Sequence, residues 1–167
     1  RELIADAIGC SASEVIFCSS GTEADNLAIK GLYWAAQKSA TTVQKKYVLI
    51  SSIEHHAVLD SAEWLEKHEG ATLLKVPVNR DGVIDLKVLS ELVAAHRDEI
   101  ALIAIMHSNN EIGTVQPIKD VVAIAGDIPV HTDAVQSFCK VDFNFDELGV
   151  TTAAISGHKL GAPLGIA

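Results

Sequence analysis

Residues 100–106 read Ile-Ala-Leu-Ile-Ala-Ile-Met, an unbroken apolar run. A strand with one wet face alternates apolar and polar side chains, so a continuous run suits a strand covered on both faces. Such strands belong to parallel sheets, whose crossover connections lay helices on either side. The segment 100–108 therefore predicts a central strand, and the rest of the chain must supply the helices that cover it.

The flanking sequence does so. Strands are predicted over 14–19, 46–51, 72–78, 129–133 and 153–156. Helices are predicted over 22–38, 57–70, 85–96 and 117–127. The helix signals are local. Thr22-Glu23 suits a helix start, Asp85 an N-cap, Pro117 a first helical position, and Gly70 a C-terminal cap. In helix 22–38 the apolar set is Leu27, Ile29, Leu32, Trp34 and Ala35. Asn79 to Gly82 is turn chemistry, and 39–46 reads as a surface loop. Strands alternating with helices give an α/β fold: three layers, α/β/α, on a mainly parallel mixed sheet. With 167 residues, one domain with a real core is expected.

Composition narrows the function classes. Hydrophobic residues at 49% and charged residues at 21% fit a globular chain, and the net charge of −9 argues against nucleic-acid partners. No stretch approaches the roughly 18 apolar residues of a membrane span, so no membrane partner is expected. The chain opens on Arg1 rather than Met, so a preceding segment is expected. Cys10, Cys18 and Cys139 cannot pair completely and show no CxxC spacing. They read as packing residues of a reducing compartment, the cytoplasm or an organelle matrix.

Each polar cluster follows an apolar run directly: Ser19 to Thr22, Glu54 to His56, Ser108 to Glu111, Asp133 to Gln136, and Ser156 to Lys159. In open parallel sheets ligands bind beyond the C-terminal ends of the strands. Five clusters delivered to one sheet edge make a site, where any single one would be an ordinary turn. Ser19-Ser20-Gly21-Thr22 opens a helix, and its backbone amides with the helix dipole can cradle a phosphate, or simply cap the helix. It has neither the lysine of a P-loop nor a full GxGxxG. Asp133 can hold a proton on a heteroaromatic nitrogen or cap the turn that follows. Gln136 can bond a nearby oxygen. His131 lies on the same side of its strand as Asp133 and reads as a hydrogen-bonded interior histidine, with no third group spaced for a metal. His55 can stack on an aromatic ring and move protons. Asn110 offers a directional hydrogen bond or a loop cap.

Lys159 sits among Ser156, Gly157, His158, Gly161 and Pro163. A lysine in a dry, crowded site becomes a nucleophile toward carbonyls. A lysine for a Schiff base, a carboxylate for a ring nitrogen and a phosphate cradle match the needs of pyridoxal 5′-phosphate. Ser156 and His158 flank the lysine within reach of that phosphate.

The stretches SSGTEADNLAIKG, EHHAVL, HSNNEIGTVQP, HTDAVQS and SGHKLGAPLGIA, in this order and spacing, resemble the cysteine desulfurases of the class V aminotransferase family, fold-type I pyridoxal-phosphate enzymes. The resemblance covers nearly the whole chain. It implies Lys159 as the Schiff-base lysine, Asp133 as partner of the pyridine nitrogen and Gln136 as partner of the ring hydroxyl. It implies His55 as the stacking, proton-transferring histidine, with Lys159 and His55 catalytic, and Asn110 near the cofactor oxygen and substrate carboxylate. Gly21, Thr22, Ser156 and His158 become the phosphate set. Two details depart from the family: Ser-Ser-Gly-Thr stands where Ser-Gly-Ala-Thr is frequent, and Leu-Gly-Ala-Pro stands where a bulkier residue precedes Gly-Pro. The resemblance further implies L-cysteine as substrate, sulfur passed as a persulfide to a cysteine outside the chain, a sulfur-acceptor protein, iron–sulfur cluster assembly and a homodimer. A selenocysteine lyase, another class V enzyme or a non-catalytic scaffold are the rivals. On this reading residues 1–167 are the large cofactor-binding domain, with an N-terminal segment and a small C-terminal domain outside it.

Overall fold

The computed structural model describes residues 1–40 and 43–167. Of the loop expected over 39–46, Thr41 and Thr42 lie outside the described residues. The helices are α1 (Glu2–Ile8), α2 (Gly21–Ser39), α3 (His56–Glu69), α4 (Leu86–His96), α5 (Ile118–Ala125) and α6 (Phe145–Leu148). The strands are β1 (Tyr47–Ser51), β2 (Thr72–Val76), β3 (Ile100–Ala104), β4 (Val130–Asp133) and β5 (Thr152–Ala154). Single 3-10 turns occupy Ala12–Glu14, Arg97–Glu99 and Gly157–Leu160.

Local chemistry sets most of these bounds. Ser20 caps α2 by accepting from Glu23 N–H at 3.1 Å. Asp85 caps α4 by accepting from Lys87 and Val88 N–H. Gly70 ends α3 with φ 72°, a left-handed conformation that glycine adopts without a Cβ clash. Among the described residues no helix is long and apolar enough to cross a membrane.

The sheet order is β2-β1-β3-β4-β5, and each neighbouring pair runs parallel. From β1 the chain moves outward to β2 at the edge, then returns to place β3 on the other side of β1. The strand order thus reverses between β1 and β3, and in open α/β sheets such a switch point, at the C-terminal ends of the strands, is where ligands bind. Isolated antiparallel bridges join Val78 with Ile84 and Ser108 with Val115.

Both sheet faces are covered, which makes three layers. On one face Leu49, Ile100 and Ile103 pack with Leu89 and Val93 of α4 and Val121 and Ala125 of α5. On the other, Val48, Ile50 and Leu102 pack with Ile29 and Tyr33 of α2 and Val58, Ala62 and Leu65 of α3. Every residue of β3 is fully buried, as its apolar run requires.

Several expectations are corrected. Residues 14–19 do not join the sheet. Cys18 and Ala167 instead exchange both backbone hydrogen bonds at 2.8 Å, so this β-prone stretch pairs with the chain's last residue. Helices α1 and α6 were not expected, being too short for a periodic signal. The buried face of α2 is Asp25, Ile29, Tyr33 and Ala36. Leu27 (52% exposed) and Trp34 turn outward, and Leu27 lines an apolar groove with Ile4, Phe138, Phe143 and Ile166. Cys10 and Cys18 are half-buried in the same groove, but Cys139 is exposed in a turn at φ 62° and packs into no core.

This assignment of the α2 face is testable by equilibrium urea unfolding. Ile29→Ala should cost about 2–5 kcal/mol, the range for a fully buried large-to-small change. Leu27→Ala should cost less than about 1 kcal/mol. Equal costs would place the buried stripe elsewhere.

Candidate active site

Four strand ends and one helix start meet at the C-terminal edge of the sheet. The start of α2 is brought closest. A Cβ built on Gly21 would lie 2.9 Å from Val135 Cγ2 and 3.4 Å from Ser156 Cβ. Only a residue without a side chain lets the α2 amides approach the ends of β4 and β5 this closely. Thr22, next in line, is exposed and has its hydroxyl available. Glu23 is held back from the edge, its carboxylate accepting from both Ser19 N–H (2.6 Å) and Ser19 Oγ (2.5 Å). Those bonds keep its pKa below the usual carboxylate range.

Beyond β1 lies His55, the N-cap of α3. Ala57 N–H donates to its Nδ1 at 3.1 Å, which places the proton of the neutral ring on Nε2 and fixes the imidazole at the helix start. His56 points away and pairs with Asp60 on the exposed face of α3. Glu54 spans the switch point: its Oε1 accepts from Met106 N–H at 2.8 Å, just past β3, and from Ser51 Oγ at 2.5 Å in β1. Its carboxyl is buried, although the stem is partly exposed, and Oε2 has no partner among the described residues. Burial is the main reason its pKa is pushed up to about 8, and the charges of Asp133 and Asp25 add to the rise.

The two asparagines past β3 divide their roles. Buried Asn109 caps its own loop, its Oδ1 accepting from Glu111 and Ile112 N–H, and its Nδ2 donates to Ile53 carbonyl at 3.1 Å. Asn110 is exposed, with no side-chain bond among the described residues.

Asp133 closes β4 and is 7% exposed. Its Oδ1 accepts from Val135 N–H at 2.9 Å, so the expected turn cap is real, while Oδ2 is left without a protein partner among the described residues. Desolvation, then the charge of Asp25, pushes its pKa up to about 6; the Val135 bond and His131 oppose the rise. Gln136 Oε1 accepts from Lys140 Nζ at 3.1 Å, which leaves its amide N–H groups as the free donors.

Past β5, Ser156 is buried, with its Oγ 2.8 Å from His158 Nδ1. His158 and Lys159 themselves are exposed, on the turn Gly157–Leu160. Within residues 1–167 the amine is thus neither dry nor crowded. A Cβ on Gly157 would meet Ile166 Cγ2 at 2.8 Å and Ala162 Cβ at 3.2 Å. Gly157 thus packs under the turn, while Gly161 faces open space.

The strand ends thus bring Gly21, Asp133 and Ser156 together as a buried base. His55, Asn110, Gln136, His158 and Lys159 stand on the loops around it. Sequence reasoning missed Asp25, which is 1% exposed on α2 and bonded through Oδ1 to His131 Nε2 at 3.0 Å. The available signal was its place four residues before Ile29 on the buried stripe. It also assigned Glu54 no role of its own.

The chain matches the family described as Aminotransferase class-V over residues 1–167. It belongs to the class V aminotransferases. It is 42% identical to an "IscS-like cysteine desulfurase" of Mycobacterium tuberculosis, over 99% of this chain and 42% of that protein. It is 45% identical to a "Cysteine desulfurase IscS" of Dictyoglomus turgidum, over 99% of this chain and 40% of that protein. Among solved structures, a NifS-like protein superposes with TM-score 0.89 at 36% identity, covering 99% of this chain and 44% of that one. Another, described as "SspA in complex with cysteine", has TM-score 0.88 at 41% identity, covering 99% and 46%. The chain therefore spans about two-fifths of the length of the curated relatives it matches. The class V family and its cysteine desulfurases are pyridoxal-phosphate-dependent in general.

The raised pKa of Glu54 predicts a slope in stability. The folded chain keeps this proton up to about pH 8, whereas the unfolded chain releases it above about 4.5. Its contribution is thus complete below pH 4.5 and is lost as pH rises through about 8. Urea unfolding across this window should show that decline, and Glu54→Gln should flatten it. An unchanged slope in the variant would mean that Glu54 is ionised in the fold.

Proposed function

We propose that residues 1–167 form the pyridoxal-phosphate-binding domain of a cysteine desulfurase. Two features of the chain fit that cofactor. The Gly21 approach to Val135 and Ser156 leaves a cradle at a helix N-terminus that a Cβ would fill, and such a cradle suits a phosphate. The nearly buried Asp133 ends β4 at the same edge with Oδ2 unpartnered among the described residues, and such an oxygen suits a ring N–H.

Gly21 and Thr22, with Ser156 and His158, would bind the phosphate, and Asp133 Oδ2 would take the ring nitrogen. The free amide of Gln136 would donate to the ring hydroxyl oxygen. Asn110 would serve the same oxygen and the substrate carboxylate. His55, fixed by its cap bond, would stack on the ring. Bound there, pyridoxal phosphate supplies an aldehyde for amines and a ring that withdraws electrons from the substrate Cα. Lys159 Nζ would hold the aldehyde and, once displaced by the substrate amine, carry the proton at Cα. His55 Nε2 would exchange protons on the same side.

The reaction assigned is L-cysteine plus an acceptor thiol to L-alanine plus the acceptor persulfide. The acceptor cysteine lies outside residues 1–167 on this reading, and Cys10 and Cys18 line the apolar groove instead. A homodimer, a sulfur-acceptor protein and service to iron–sulfur cluster assembly, in the cytoplasm or an organelle matrix, complete the proposal. The observation that carries it is the meeting of Gly21 and Ser156 beside Asp133.

The test uses the full-length protein with pyridoxal 5′-phosphate. A visible absorption band bleached by borohydride is expected in wild type and absent in Lys159→Ala. Alanine formation from L-cysteine should fall by about a hundredfold to ten-thousandfold in the variant. A wild type that takes up no cofactor would overturn the reading.

A further inference from the structure

Beneath the proposed cofactor edge lies a buried pair that the reaction scheme leaves unused. His131 is 0% exposed and Asp25 is 1% exposed. His131 Nε2 donates to Asp25 Oδ1 at 3.0 Å, and its Nδ1 lies 2.9 Å from Thr152 Oγ1. Thr152 is its direct neighbour across β4 and β5, so sheet register supplies this contact. Both ring nitrogens therefore face oxygen atoms, an arrangement that can hold the doubly protonated ring. Asp25 Oδ2 has no partner among the described residues. A buried carboxylate with one bare oxygen is costly unless a cation stands beside it.

Asp133 follows His131 by two positions on β4, on the same side of the sheet. Its surroundings are rich in acids. Asp25 approaches from α2 and its charge raises Asp133, and the charges of both bear on Glu54 from the loop after β1. Glu54 is neutral below about pH 8, so it adds no charge at neutral pH. His107, whose backbone N–H donates to Asp133 carbonyl at 2.8 Å, is kept neutral by burial. The charge beneath the site at neutral pH is thus set by Asp25, His131 and Asp133. Two buried carboxylates so near each other disfavour joint ionisation.

We propose that Asp25 and His131 form a positioning pair whose protonated imidazole keeps Asp133 ionised toward the cofactor ring. The proposal rests on Asp133 being the ring-nitrogen partner, as read above. A protonated imidazole beside an ionised Asp25 makes the pair neutral as a unit, which would leave Asp133 the net negative charge that a ring N–H requires. Without the imidazole charge, Asp25 would drive Asp133 toward its protonated form. Without Asp25, that repulsion would vanish. The two residues therefore act on Asp133 in opposite directions, although both belong to one hydrogen-bonded pair.

The opposition is the test. In the full-length protein freed of cofactor, the Asp133 carboxyl is titrated by NMR of selectively carbon-13-labelled aspartate, with Asp133→Asn giving the assignment. His131→Gln should raise the midpoint by about one pH unit or more, and Asp25→Asn should lower it. Simple loosening of the fold would move both the same way. Where His131→Gln does not fold, Thr152→Val replaces it. That change removes only the oxygen facing Nδ1 and should also raise the midpoint. Titration with pyridoxal 5′-phosphate across pH supplies the second readout: the pH at which affinity rises should shift in the same sense as the midpoint. Opposite shifts support the pair. Shifts of one sign, or none, overturn it. A wild type that binds no pyridoxal phosphate defeats the proposed function, while the Asp133 titration still decides the role of the pair.

Discussion

A strand that is apolar on both sides cannot hold polar chemistry on either face. The burial of β3 against α2 and α3 on one side and α4 and α5 on the other removes both sheet faces from function. What remains is the edge where the strands end, and there Ser51, Asp133 and Ser156 bring buried polar groups to it. The reversal of strand order between β1 and β3 then opens that edge, because the connections on either side depart in opposite directions. Glu54 closes the base of this opening by joining Ser51 to Met106 N–H, and Asn109 braces the same loop through Ile53. In both cases a bracing residue immediately precedes a proposed site residue, His55 and Asn110. The brace and the group it presents are chain neighbours.

The second organising feature is electrostatic. Three carboxyls and a histidine lie under one sheet edge, which a structure selected for stability alone would avoid. Their environments push them apart. Glu54, whose carboxyl is buried with one oxygen bare, is held as the acid, while Asp133 stays within reach of ionisation near neutral pH. Such separation of otherwise similar groups is characteristic of sites where charge is put to use.

Much of the element order was legible because its signals are local: caps at Ser20 and Asp85, the stop at Gly70, the apolar run of β3. What was misread depended on distant partners. Residues 14–19 have strand-like composition, but Cys18 among them pairs with Ala167, which no local pattern reveals. Leu27 and Trp34 are apolar yet outward, while Asp25 is charged yet buried, because its partner His131 lies 106 residues away. The site followed the same rule. Asp133 and Ser156 could be placed by strand ends alone. The exposure of Lys159 within residues 1–167 could not, since of the glycines beside it only Gly157 is packed against neighbouring side chains.

The central claim is that one edge of this sheet is shaped for a phosphate at Gly21 and a ring nitrogen at Asp133. The most direct measurement is a crystal structure of the full-length protein grown with pyridoxal 5′-phosphate. The account predicts the phosphate on the α2 amides beside Ser156 and the ring nitrogen within hydrogen-bond distance of Asp133 Oδ2. Cofactor density elsewhere, with Asp133 Oδ2 turned to another protein group, would contradict it.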